Sequence, residues 1–392
     1  MNLVHLIPYY APAWGFGGVV HAAYGLTRAL AAHGNAVTVI TTDAGDNGMR
    51  LPAGESVIDG VQVIRCCNAL PALRRVNLSS PLGLREALRT ALAGAAVLHV
   101  HEFRTVENLI ALPLAHALGV PVILSPHGTL PYHAGRGALK RGWDRLFGRW
   151  SASHIDHVLA LTADEAADAR ALWNRLGLPL ADARISVIPN GVDVGEFAAL
   201  PPRGLFRARY GIPPGAPLIL FLGRLHRRKG VHHLIDALPA LPEAWLAVVG
   251  PDEGEGAALR SRAAALGVAE RVLFTGLLAG PDRLAALSGA DVLGLPAVGE
   301  GLPMVALEAL AAGLPVALSD ECHLPEVIEA GAGVRLEVLN GANIAEALRP
   351  LLDDPSQRQA MRSRGRALVE ARFTWDAVTR QVEDAYRRQT AA

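Results

Sequence analysis

At 392 residues the chain exceeds one ordinary domain, and two domains of roughly 150–200 residues are expected. Apolar residues make up 51% and charged residues 19%, which excludes a disordered chain, and 37 basic residues balance 37 acidic ones, so nothing in the overall charge points to nucleic acid. Only Cys66, Cys67 and Cys322 are cysteines, with no metal-type spacing, a usage that suits a reducing cytoplasm.

The opening MNLVHLIPYYAPAW has no basic leader region and reads as a first strand, Leu3–Ile7, rather than a signal peptide. Further strands are predicted at Ala36–Thr41, Val61–Arg65, Val97–His101, Pro121–Ser125, Val158–Leu161 and Ile185–Ile188. Helices fall between them at Val20–His33, Pro81–Ala93 and Ala163–Leu176. Short apolar strands separated by helices indicate a parallel sheet buried on both faces. The plan then repeats, with strands at Leu218–Leu222, Leu246–Val249, Val272–Phe274, Val292–Leu295, Val316–Leu318 and Val334–Leu336, and closing helices at Ser356–Ala371 and Trp375–Arg388. The proline-bearing stretch Glu196–Gly215 reads as a connector. The expected architecture is therefore α/β: two Rossmann-like doubly wound domains, 1–195 and 205–374, facing a cleft, with a final helix 375–392 returning to the first. No apolar run reaches the roughly 18 residues of a membrane helix, so a soluble or at most peripheral protein is expected.

The strongest motif is PAVGEGLPMVALEALAAGLPVALSD at 296–320. A strand ends at Pro296, and Pro303 stands where a helix takes its first residue. The backbone N–H groups of Met304 and Val305 would then offer a seat for an anion or a sugar hydroxyl. Glu300 lies just ahead, and Glu308 sits in an otherwise apolar helix, where a carboxylate needs partners such as a ribose diol. After the first strand of the second half comes LGRLHRRKG, 222–230, which places Arg224 and Lys229 at the carboxyl edge of the sheet, poised to neutralise a leaving diphosphate. Lys140 and Lys229 are the only lysines among 37 basic residues, which sets Lys229 apart. Arg227 and Arg228 read as surface charges. In the first half, Gly17 and Gly18 open the first helix, allowing close backbone approach to phosphate, though without the spacing of a dinucleotide site. His127 in SPHGTL ends a strand and can act on a sugar hydroxyl. His101 and Glu102 are the comparable candidates on the acceptor side.

Taken together, GGV near the start, SPHG, PNGVD at 189–193 with Phe197 after it, GRL…KG and EGLPMVALE with glutamates eight apart resemble the retaining glycosyltransferases of family 4, which have the GT-B fold. The likeness runs from Met1 to about Trp375. It implies that Arg224 and Lys229 hold the diphosphate of a nucleotide sugar (UDP- or GDP-), and Glu308 the ribose. Glu300 and the backbone of Gly301, Leu302, Pro303, Met304 and Val305 would contact the donor sugar. His127 would meet that sugar from the first domain, and Gly17–Gly18 would approach the phosphate. Front-face transfer to a glycan or lipid-linked acceptor, in surface or exported polysaccharide assembly, is the implied chemistry. The segment ECHLPEV after Asp320, and Ala297 where many members have serine, depart from the pattern beside the sugar. No Asp-x-Asp occurs, so no metal or other cofactor is expected.

Residues 135–150, GRGALKRGWDRLFGRW, set Leu139, Trp143, Leu146 and Trp150 on one helical face and Lys140, Arg141, Arg145 and Arg149 on another. Such a helix can dock on an anionic membrane surface or be a core-facing stripe with a solvated back. Two other functional readings fit the architecture. A nucleotide-sugar epimerase would turn over donor without an acceptor. A non-catalytic sugar-nucleotide-binding subunit would not be expected to keep Arg224, Lys229, Glu300 and Glu308.

Overall fold

The computed structural model describes residues 1–70, 78–132 and 136–390, and the chain divides into two compact units, Met1–Gly191 with Trp375–Ala392, and Val192–Thr374. In the first, β1 (Asn2–Leu6), β2 (Ala36–Thr42), β3 (Gly54–Ile58), β4 (Val61–Cys66), β5 (Val97–His101), β6 (Val122–Ser125), β7 (His157–Ala160) and β8 (Ile185–Val187) form one sheet. Its order is β3-β4-β2-β1-β5-β6-β7-β8, parallel throughout except for the β3–β4 hairpin. The central strands are buried along nearly their whole length, as both-face coverage by helices requires. Strand β3 is absent from the sequence reading because its side chains are largely exposed and carry no apolar run. The signal for it was Asp59–Gly60, both at positive φ (46° and 81°), the dipeptide favoured in a two-residue hairpin turn.

The helix Trp375–Thr390 packs Val378, Val382, Ala385 and Tyr386 into the same core as Leu3, Ile7, Val37 and Val39. Trp375 is wedged where glycine is required: a Cβ on Gly25 would lie 2.2 Å from its indole, and one on Gly191 2.7 Å.

The second unit holds β9 (Leu218–Leu222), β10 (Trp245–Val249), β11 (Val272–Gly276), β12 (Val292–Leu295), β13 (Val316–Ser319) and β14 (Gly333–Leu336), in the order β11-β10-β9-β12-β13-β14 and all parallel. The first strand of this unit lies at the centre beside its fourth. Successive crossovers run in opposite directions from there, and ligands of such sheets bind beyond the strand ends at that switch point. The stretch expected as a connector belongs to this unit, which begins at Val192 rather than at 205, and the first unit ends at Gly191 rather than 195. The physical reason lies in the helix Arg203–Arg209. Its buried Phe206 and Arg207 pack inward, and the Arg207 guanidinium donates to the Gly289 carbonyl (2.9 Å) and to Asp291 (2.9 Å). The prolines shape a packed segment, not a free linker.

Gly25→Ala should destabilise the chain by about 1–3 kcal/mol, the usual scale of overpacking, because the indole of Trp375 has to move. Gly142→Ala, whose Cβ meets nothing within 4 Å, should be neutral or stabilising. Urea midpoints of the two variants check this; equal midpoints would contradict the wedge.

Candidate active site

At the switch point of the second unit, the turn after β9 is locked to the loop after β12. Gly230 has φ +72°, and a Cβ there would fall 1.9 Å from the Pro296 carbonyl, so only glycine fits after Lys229. The Val298 N–H donates to the Arg228 carbonyl (2.7 Å), and the Arg228 side chain donates back to the carbonyls of Val298 and Gly299. Arg228 is thus a structural clamp and not the surface charge expected from sequence; Arg227 is exposed. This packing places the Lys229 ammonium 2.8 Å from the Glu300 carboxylate, each only about one-sixth exposed (18% and 16%). Glu321, in the segment that departs from the family pattern, accepts from the Gly299 N–H (2.5 Å), and its backbone carbonyl accepts from the Glu300 N–H (3.2 Å). The departing segment therefore supports the loop. Ala297 is buried, and its carbonyl accepts from the Ser319 hydroxyl (2.5 Å).

Arg224 is exposed and forks onto both oxygens of Glu253 (2.7 and 3.0 Å). The helix Met304–Ala311 starts after Gly301, Leu302 and Pro303, with no side chain capping it, so its first-turn N–H groups are offered by the fold to a ligand. Glu308 on this helix has a protein partner that sequence did not suggest. Arg283 donates to it (2.5 Å) and also to Glu196 (2.5 Å). Burial works against the Arg283 charge, but Glu308 and Glu196 outweigh it and hold its pKa up. The cost of placing Glu308 in an apolar helix is thus met by Arg283, and a ribose is not needed to explain it.

In the first unit, Gly17 (φ +91°) precedes the helix Gly18–Ala32, which no side chain caps; a Cβ on either glycine would meet open space. His127 and Glu102 stand at the carboxyl ends of the neighbouring strands β6 and β5, both in the left-handed region (φ +54° and +66°), a strained conformation for either residue. Glu165 fixes the turn after His127 by accepting from the Gly128 and Leu161 N–H groups. His101 does not face an acceptor. It is 1% exposed, and its ring nitrogens pair with His127 (2.9 Å) and His5 (3.1 Å). His99 bridges the Tyr386 hydroxyl (2.6 Å) and the Ser125 hydroxyl (2.8 Å). Burial pushes His5 down to about 3 and His127 to about 4; it also pushes His99 and His101 well down, with help from neighbouring imidazoles. Glu102 rises to about 7 through burial and then Glu107, and Glu165 to about 7 through burial against its two N–H donors.

Residues 16–196 match the model described as Glycosyltransferase Family 4, and residues 203–368 the one described as Glycosyl transferases group 1. A glycogen synthase of Mycobacterium tuberculosis is 30% identical, over 97% of this chain and 93% of its own length. The chain belongs to glycosyltransferase family 4. Among solved structures, the sucrose-phosphate synthase of Thermosynechococcus elongatus superposes with a TM-score of 0.78 at 24% identity, covering all of both chains. Anabaena HepE, solved in complex with UDP-glucose, gives 0.74 at 19% identity, over 98% of this chain and 99% of its own. The fold is GT-B, two Rossmann-like α/β domains.

This glycosyltransferase carries one further surface of note. Residue 135 lies outside the described residues, but 137–153 form a continuous helical run: Gly137–Trp143, a π-helical turn Asp144–Gly148, and Arg149–Ser153. Leu139, Leu146 and Trp150 are exposed (63%, 73% and 37%), whereas Trp143 is half-buried, so the apolar stripe faces the core only at Trp143. The one acid, Asp144, is buried and paired with Arg104 (2.8 Å). No helix of the described residues is long and apolar enough to cross a membrane.

Sequence reasoning missed Arg283, Glu253, Glu165, His5 and His99. Only for His99 was there a signal: it is two residues from His101 on one strand, hence on the same face, whereas His5 comes opposite His99 only through strand pairing. The buried histidines also set a pH response. Unfolding lets His5, His99, His101, His127 and His157 regain ordinary values near 6.5, so below that pH the unfolded chain binds more protons than the folded one. Glu102, Glu107 and Glu165, raised in the fold, act in the opposite sense but are fewer. Stability should therefore fall as pH drops from about 6.5 to about 4, by about 1.4 kcal/mol per pH unit for each unmatched histidine. Urea unfolding at several pH values checks it; stability that rises towards pH 4.5 would contradict neutral buried imidazoles.

Proposed function

We propose that this family 4 enzyme is a retaining, metal-independent hexosyltransferase using a UDP- or GDP-sugar, acting on a glycan or lipid-linked acceptor in surface or exported polysaccharide assembly. The observation that carries the reading is the Lys229–Glu300 pair at the β9–β12 switch point, beside an uncapped helix N-terminus. In this reading the donor diphosphate takes the place of the two carboxylates, Glu300 on Lys229 and Glu253 on Arg224. The cations then stabilise charge growing on the leaving phosphate, the task a metal performs in other enzymes. Glu300 is released towards the sugar, whose hydroxyls also meet the backbone of 301–305. Glu308, oriented by Arg283, accepts from the ribose. From the first unit, His127 serves the sugar and Gly17–Gly18 approach the phosphate. The acceptor hydroxyl oxygen bonds to the anomeric carbon as the carbon–phosphate oxygen bond breaks, and its proton passes to that phosphate oxygen. HepE, named as a UDP-glucose complex, supports a nucleotide-sugar donor.

Lys229→Ala should lower kcat/KM by roughly 10²–10³, the scale of losing one preorganised donor. Activity should persist in excess chelator, and the product should keep the donor's anomeric configuration by NMR. Full activity in the variant would remove the diphosphate role; activity restored only by magnesium or manganese would remove metal independence; an inverted product would remove retention.

We further propose that residues 136–150 dock the enzyme on the anionic inner face of the cell membrane. The exposure of Leu139 and Leu146 beside basic side chains supports this. At about 1 kcal/mol per basic residue, low-salt co-sedimentation with anionic liposomes should be strong. It should weaken in high salt and on changing Arg141, Arg145 and Arg149 to Gln. Binding indifferent to both would overturn the assignment, as would none at low salt.

A further inference from the structure

The geometry points to His5 and His101 as positioning residues that lock His127 in a single tautomer, with its proton on Nδ1, so that it meets substrate as a hydrogen-bond donor. This rests on the proposed role of His127 at the donor sugar. The chain runs His127 Nε2 to His101 Nδ1 (2.9 Å), then His101 Nε2 to His5 Nδ1 (3.1 Å). All three rings are neutral near pH 7 because burial disfavours the imidazolium, so each carries one proton.

Two N···N hydrogen bonds require one proton each. His101 has a single proton and can supply only one of them, so the chain has two arrangements. In the first, His5 donates from Nδ1 to His101, and His101 donates from Nδ1 to His127, which leaves the His127 proton on Nδ1. In the second, all donations reverse, and the His5 proton is forced onto Nε2. That atom is buried and has no hydrogen-bond partner. A buried N–H without an acceptor is the costlier of the two orphans, since unpaired buried donors are the rarer kind. The first arrangement is therefore favoured. At the other end, among the described residues, His127 Nδ1 has no hydrogen-bond partner, and the residue is half-buried, not sealed.

The same cluster has the makings of a metal site, since ligand atoms of His5, His99 and His101 lie within 4.8 Å of one another. The hydrogen bonds argue otherwise. Both nitrogens of His99 are engaged by Tyr386 and Ser125, and those of His101 by His5 and His127. Only His5 Nε2 is unengaged, and one nitrogen does not hold an ion.

The test is ¹⁵N NMR of histidine-labelled protein near pH 7, read together with kinetics. Wild type should show His127 protonated at Nδ1. His101→Asn, whose amide N–H can replace the Nδ1–H donor, should keep that tautomer and most of kcat/KM. His101→Leu should lose the single tautomer and drop kcat towards that of His127→Ala, with affinity for the free nucleoside diphosphate unchanged. Protonation of wild-type His127 at Nε2 would overturn the proposal, and so would a His101→Leu protein that keeps both tautomer and kcat. Stoichiometric zinc in the purified protein would replace the lock with a metal site. If His127→Ala were fully active, the role of His127 at the sugar would fail, while the tautomer measurement would still decide the lock.

Discussion

The contact of Gly230 with the carbonyl of Pro296 fixes the charged half of this enzyme. Backbone lies on backbone there, and the turn after β9 and the loop after β12 leave no room between them for even one Cβ. Lys229 precedes the glycine and Glu300 follows the proline by four residues, so the contact helps bring their charges to 2.8 Å. Arg228, bonded into the same loop, and Glu321, bonded to it from beyond β13, hold the arrangement from both sides. The order of the sheet makes this possible, because β9 and β12 are neighbours only in a doubly wound topology.

The two units manage ionisable groups differently. The second pairs its site cations with carboxylates: Lys229 with Glu300, Arg224 with Glu253, Arg283 with Glu308 and Glu196. The first unit also buries several imidazoles deeply enough that their neutral form is favoured. Neutral imidazoles are directional, since each is donor at one nitrogen and acceptor at the other. The second unit thus offers field strength, and the first offers hydrogen-bond polarity.

Positive-φ backbone also marks two adjacent strand ends of the first unit. His127 and Glu102 occupy left-handed conformations at adjacent strand ends, where a glycine would be more comfortable. Each is held by its surroundings, His127 through His101 and through the Glu165 clasp on the next residue, and Glu102 through its N–H bond to the Ser125 carbonyl.

The sequence by itself determined the strand–helix alternation and the fold class, because buried parallel strands need unbroken apolar runs and leave them visible. It also determined Lys229, Glu300, Glu308 and His127 as candidates, since local order alone puts them at strand ends or in an apolar helix. Hairpin β3 escaped because an edge strand faces solvent and needs no apolar face. Only the tertiary structure decided what each candidate touches. Arg283 is 25 residues from Glu308, Glu253 is 29 from Arg224, and His5 is 96 from His101. Side-chain pairs of that kind are set by which strands lie side by side, and nothing in the spacing of either partner along the chain records them.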